Sequence, residues 1–164
     1  MATKPGERKT QILQTLASML EQPQGEKITT AALAAKVGVS EAALYRHFAS
    51  KAQMFEALIE FIEESVFSLV NQITQTERDG RAQVQQMVSM LLNFAEKNPG
   101  MVRVLIGDAL VHEDARLQTR INQLLDRIES SLKQALQLVV AVPGVGVAPS
   151  AHANALCAFV IGRW

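Results

Sequence analysis

The chain has 164 residues, 48% of them hydrophobic and 20% charged, with sixteen Lys and Arg against sixteen Asp and Glu. Zero net charge excludes a general attraction to polyanions, so any such affinity must come from local clustering. Residues 1–54 hold seven basic groups against four acidic ones and the remainder nine against twelve, the asymmetry of a polyanion-binding head on a body with another task.

Apolar residues recur at three- and four-residue spacing along most of the chain, which predicts an all-α fold. A first helix is expected from Glu7 to Glu21, with Ile12, Leu16, Met19 and Leu20 inward and Pro23 and Gly25 ending it. Thr29 or Thr30 is expected to cap a short second helix through Lys36, because a threonine oxygen accepts from the free amides of a first turn. Gly38 ends that helix, and Ser40 caps a third with Glu41 in its first turn. Ser50 caps a fourth, Lys51 to Thr76, with Met54, Phe55, Leu58, Phe61, Ile62, Phe67, Val70 and Ile73 on its apolar positions. Beyond Asp79-Gly80 a fifth helix carries Val84, Met87, Val88, Leu91, Leu92 and Phe94, and Asn98-Pro99-Gly100 breaks it. A short sixth lies near Met101 to Leu110. The seventh, Asp114 to Val139, places Leu117, Ile121, Leu124, Ile128, Leu132 and Leu136 on one stripe. Residues 140–150 suggest a loop, with Ser150 capping a last helix from Ala151 to Trp164.

The segment from Ile28 to Lys51 carries the functional signal. Two short helices joined by Val37-Gly38-Val39-Ser40 predict a helix-turn-helix, with Leu33, Val37, Leu44 and Phe48 as its small core. At 100° per residue, Ala42, Ala43 and Arg46 project outward, with Tyr45 and His47 on the flanks. Two alanines let a helix sink into a major groove, where a methyl meets a thymine methyl and Arg46 reaches guanine or phosphate. Tyr45, His47 and Lys51, with the hydroxyls of Thr30 and Ser40 at helix starts, are placed to grip phosphates.

Other groups carry weaker signals. Cys157 is alone and in an apolar setting, so it is expected to be a core thiol. The polar start from Met1 to Thr10 and the lack of an apolar run near 20 residues predict a soluble cytoplasmic protein. His47, His112 and His152 are widely spaced and no metal site is expected, with His112 placed as a helix-cap neighbour. Gly144-Val145-Gly146 lacks the third glycine and preceding strand of a dinucleotide loop. Glu63-Glu64, and Arg116, Arg120, Asp126 and Arg127 on the seventh helix, suggest solvated faces. Met87, Met90 and Met101 suit core filling better than a drug-sized pocket. No constellation supports an enzyme, and no cofactor is implied.

The run from Thr30 to Lys51, with Leu33-Ala34, Val37-Gly38-Val39-Ser40-Glu41-Ala42-Ala43-Leu44-Tyr45-Arg46-His47-Phe48 and Ser50-Lys51, resembles the DNA-binding head of TetR-type regulators. LIEFIEES (58–65), FAEKNPGMVRVLIGDAL (94–110) and RLQTRINQLLDRIE (116–129) resemble the nucleoid occlusion branch of that family. The resemblance implies a three-helix helix-turn-helix head over residues 1–50 and a helical dimerisation and docking body over 51–164. It further implies a nucleoid-associated homodimer on palindromic double-stranded DNA that antagonises assembly of the tubulin-like division protein FtsZ. The acidic C-terminal tail of FtsZ would sit between the fourth and fifth helices, where the matching positions are Phe61, Met90, Lys97 and Asn98. Leu69 stands where a basic residue is expected and Asn93 where a glycine is. Chains of that branch run some thirty residues further, so a chain truncated in its last helices is expected to dimerise less well. The alternative expectation is a ligand-responsive repressor of the wider family, with an inducer pocket in the body.

Overall fold

The computed structural model describes residues 5–22, 27–140, 144, 146 and 148–164. Its elements are α1 (Pro5–Leu20), α2 (Thr30–Val37), α3 (Glu41–Tyr45), α4 (Lys51–Thr76), α5 (Gly80–Lys97), α6 (Pro99–Leu105), a 3-10 turn at Asp108–Leu110, α7 (Ala115–Val140) and α8 (Pro149–Arg163). No strand occurs among the described residues, as the helical periodicity predicts. The expected stops at Pro23 and Gly25 lie outside the described residues, as does much of the expected loop at 140–150.

Local chemistry sets most boundaries. Thr29, not Thr30, caps α2 by accepting from the Ala32 amide at 3.1 Å. The Ser40 hydroxyl accepts from the Ala43 amide at 3.2 Å, and Ser50 accepts from Gln53 at the start of α4. The Gln53 side chain reaches back to accept from the Ala49 amide, so the α4 entry is tied from both sides. Asp79 and Asp114 similarly accept from the first amides of α5 and α7. Each cap satisfies donors that have no partner within their own helix.

The chain divides into two compact units. The first comprises Met1–Phe61 and Asn98–Gln118. In it α1 packs on α2 and α6 through a core of Ile12, Leu16, Leu20, Leu33, Leu44, Met54, Phe55 and Leu58, all nearly fully buried. The sixth helix departs from expectation. Pro99 and Gly100 separate the fifth helix from the sixth as expected, α5 ending at Lys97, and they also begin α6, two residues ahead of the expected Met101, because a first-turn proline needs no amide hydrogen bond. Gly100 also lets α6 lie against α1, since a Cβ there would come within 2.0 Å of the Ala17 carbonyl oxygen. The helix ends at Leu105, short of the expected Leu110, which belongs to the 3-10 turn.

The second unit comprises Ile62–Lys97 and Thr119–Trp164. The expected α7 stripe is buried, and its continuation at Ala135 and Val139 is buried too. On α5, which packs on α8, Met87 and Leu91 face the core, and the indole of Trp164 donates to the Leu91 carbonyl at 3.3 Å. Gln83 is buried because its amide donates to the Glu77 carbonyl at 2.7 Å, and Cys157 is a buried free thiol as expected. Ser150 does not cap α8. The helix begins at Pro149, two residues ahead of the expected Ala151, and the missing donor of that proline makes a side-chain cap less necessary.

One expectation of solvated charge is corrected in this unit, at Glu63, while Glu64, Asp126 and Arg127 are exposed as expected. Glu63 is half-buried and pairs with both Arg120, at 3.0 Å, and Arg127. Arg127 in turn covers the ring of Phe67. The α4 and α7 positions are 57 and 64 residues apart, so helical periodicity within either element gives no sign of the pairing.

Candidate nucleic-acid interface

The helix-turn-helix lies within the first unit. Gly38 ends α2 at φ 80°, a left-handed conformation that a side chain would strain, and its amide and that of Val39 return to the Ala34 carbonyl. The turn then delivers Ser40 as the cap of α3. Inward, Leu44 is fully buried and Leu33, Val37 and Phe48 nearly so, which completes the expected small core. Lys9 of α1 lies over the Phe48 ring, 5.7 Å from its centre.

Outward, α3 exposes Glu41, Ala42, Tyr45 and Arg46, while Ala43 and His47 are half-buried. The expected outer face is therefore turned slightly, bringing Glu41 and Tyr45 forward and Ala43 back. Among the described side-chain hydrogen bonds, Tyr45 donates to the Thr30 hydroxyl at 3.4 Å, and Thr30 donates to the Glu41 carboxylate at 2.7 Å. Thr30, Tyr45 and Glu41 thus form one cluster at the junction of α2 and α3. Sequence spacing placed Glu41 only in the first turn of its helix. Its link to Thr30, eleven residues away across the turn, has no local signature.

Lys51 begins α4, and its ammonium pairs with Glu113 at 2.5 Å, with side chains only 20% and 10% exposed. It also lies over the Phe55 ring. Lys27, just before α2, donates to the carbonyl of His112, a residue at φ 71°. The turn before α7 thus engages two cations of the first unit. Among the described residues, no three of His, Cys, Asp and Glu gather as metal ligands, and no helix is long and apolar enough to cross a membrane.

The four expected docking positions divide between the units. Half-buried Phe61 and Asn98 belong to the first, with Asn98 at the N-cap of α6. Met90, half-buried, and Lys97, exposed, lie on α5 in the second, where Leu69 on α4 and Asn93 on α5 are also exposed.

Residues 16–58 match the N-terminal domain of bacterial regulatory proteins of the tetR family. Residues 78–164 match the tetracyclin repressor-like C-terminal domain of the SlmA-like type. The chain belongs to the TetR family. It is 54% identical to the nucleoid occlusion factor SlmA of Marinomonas sp. strain MWYL1, over 99% of this chain and 84% of the relative. It is 57% identical to the protein of that name from Alteromonas mediterranea, over 83% of this chain and 70% of the relative. These matches put it in the SlmA-like branch of DNA-binding regulators, not among enzymes.

The fold itself recurs at low identity. A TetR-family regulator from Agrobacterium tumefaciens superposes with a TM-score of 0.81 at 16% identity, over 97% of this chain and 86% of that one. One from Haloarcula marismortui does so with 0.81 at 17%, over 96% and 85%.

Proposed function

We propose that the protein is a nucleoid occlusion factor: a homodimer that binds palindromic sites in double-stranded DNA over the nucleoid and antagonises FtsZ assembly there. The single observation that carries this reading is identity above 50% with proteins named for that role, running from the head into the body. Residues 1–50 serve as the head and 51–164 as the dimerising and docking body. Ala42 and Arg46 meet the major groove, with Ala43 behind them, and Thr30, Ser40, Tyr45, His47 and Lys51 bind phosphates.

Dimerisation is supported by α8. Its inner side buries Ala153, Cys157 and Val160, yet its outer side is also apolar, with exposed Ala151, Ala155, Ala158 and Phe159. An outer apolar strip of this kind, flanked by exposed His152, Asn154 and Arg163, is stable when a second surface covers it, here that of another copy.

Phe61, Met90, Lys97 and Asn98 bind the acidic FtsZ tail, Phe61 as apolar anchor and Lys97 as carboxylate partner. Titrating the DNA-bound protein with an FtsZ tail peptide tests the assignment. The peptide should join the complex without displacing DNA. Phe61→Ala should cost about 2 kcal/mol of peptide affinity while DNA affinity stays unchanged. Release of DNA by a small molecule, with no peptide binding, would support a ligand-responsive repressor instead.

A further inference from the structure

Glu41 is the only carboxylate between Glu26 and Glu56, a stretch that contains the whole helix-turn-helix. An anion on a surface that receives phosphates works against binding unless it has a partner there. In the free protein that partner is Thr30. A threonine hydroxyl has one proton, and the Thr30 proton is committed to the Glu41 carboxylate at 2.7 Å, while the Tyr45 hydroxyl donates to Thr30. A phosphate approaching Thr30 therefore has to displace a carboxylate of like charge.

The displaced group has somewhere to go. Glu41 is the first residue of α3 and shares its exposed face with Ala42, Tyr45 and Arg46. The N-terminal end of such a helix is the part that meets base edges in the major groove. The methyl of Ala42 beside it allows close approach. In that groove a carboxylate finds a hydrogen-bond donor in the exocyclic amino group of cytosine, whereas adenine sets the acceptor N7 beside its amino group, where it repels an anion, and guanine and thymine present acceptors.

We propose that Glu41 is a specificity-determining residue of the DNA-binding head. Its carboxylate bridges to Thr30 in the free protein and turns to the N4 amino group of a cytosine on DNA, so sites without that amine carry an uncompensated repulsion. This inference rests on the DNA-binding reading of the head and adds to it a base and a penalty.

The test is selection from a randomised duplex library with the parent, Glu41→Ala and Glu41→Gln, followed by affinities for the selected site and an unrelated duplex at several salt concentrations. Glu41→Ala should lose a cytosine preference at one position per half-site. It should bind the unrelated duplex several-fold more tightly at low salt, so that discrimination falls about tenfold. Glu41→Gln keeps an acceptor for Thr30 and should move the preference from cytosine to adenine, whose N6 and N7 suit an amide. It carries the test if the alanine variant melts below the assay temperature. Variants that keep the parent's sequence profile, with both affinities moving together, overturn the proposal and leave DNA binding intact. A parent that selects no sequence at all overturns the DNA-binding reading and the proposal with it.

Discussion

Arg127 lays its guanidinium across the ring of Phe67, 4.0 Å from the ring centre, and at the same time pairs with Glu63. The contact joins α4 to α7 within the second unit by a cation over a π face and an ion pair whose carboxylate is only 15% exposed. Arg120 takes the other Glu63 oxygen, so one carboxylate serves two guanidiniums. Glu63→Ala should therefore cost about 1–2 kcal/mol in urea unfolding, more than an isolated surface pair, because two cations lose their partner together. Arg120→Ala alone should cost less than about 1 kcal/mol. If Glu63→Ala melts with the parent, the pairing contributes nothing and the two helices are joined by their apolar stripes alone.

Gly100 is the close contact of the first unit. A methyl there would meet the Ala17 carbonyl oxygen, an unyielding backbone atom, so Gly100→Ala has to push α6 away from α1. Overpacking of this kind costs about 1–3 kcal/mol. A lower urea midpoint with an unchanged slope is expected. Gly6→Ala, in α1 and with open space around it, should leave the midpoint within about 0.5 kcal/mol of the parent and serves as the control.

These contacts mark the limit of what the sequence made legible. The caps at Ser40 and Ser50, the end of α2 at Gly38 and the full extent of α4 are local, each fixed by a side chain within a few residues of the backbone group it satisfies. The buried stripe of α7 is legible too, because a 3.6-residue period is written along one element. Nothing local distinguishes Glu63, with two arginine partners on α7, from Glu64, exposed on another side of the same helix. The same holds for Lys51 and Glu113, 62 residues apart, and for Thr30 and Glu41 across the turn. Asn98-Pro99-Gly100 is legible as the end of α5 but not as the start of α6, because the residues that break one helix also suit the first turn of the next.

Asp114 gives an acid-side prediction. Its carboxyl is held below the ordinary range, first by the hydrogen bond from the Arg116 side chain and then by the Arg116 backbone amide. A folded-state value below the unfolded one contributes stability that is present above the unfolded value, about 3.9, and lost as pH falls through the folded value. Asp114→Asn keeps an acceptor for the α7 amide and removes the charge. The variant should be less stable than the parent at pH 6, and the two urea midpoints should converge as pH falls through the folded value.

Cys157 should be chemically quiet. Burial pushes its thiol up first, and the charges of Glu129 and Asp126 push it the same way, so little thiolate exists at neutral pH. Alkylation at pH 8 is expected to be slow in the native protein and fast once urea opens the second unit. Glu129→Gln removes one of the two charges and should shift the thiol titration downward. Rapid native labelling at pH 8 would contradict the burial of this thiol.

The two basic residues placed at the DNA surface should behave differently when removed. Arg46 is exposed at the end of α3, so Arg46→Ala should leave the melting temperature unchanged and act on DNA binding alone. If the guanidinium reaches a base edge, the loss is about 1–3 kcal/mol and relaxes preference at one position. If it reaches phosphate, affinity falls alike for all sequences and the salt slope drops by about one. Lys51 has a structural partner as well. Its removal leaves the Glu113 carboxylate, 10% exposed, without its cation, so Lys51→Ala should lower thermal stability in addition to weakening DNA binding. Lys51→Ala with Glu113→Gln should recover the stability and not the DNA affinity, because the second change removes the stranded charge without restoring a phosphate contact. Recovery of both together would mean that Lys51 acts on DNA only through the fold of the first unit.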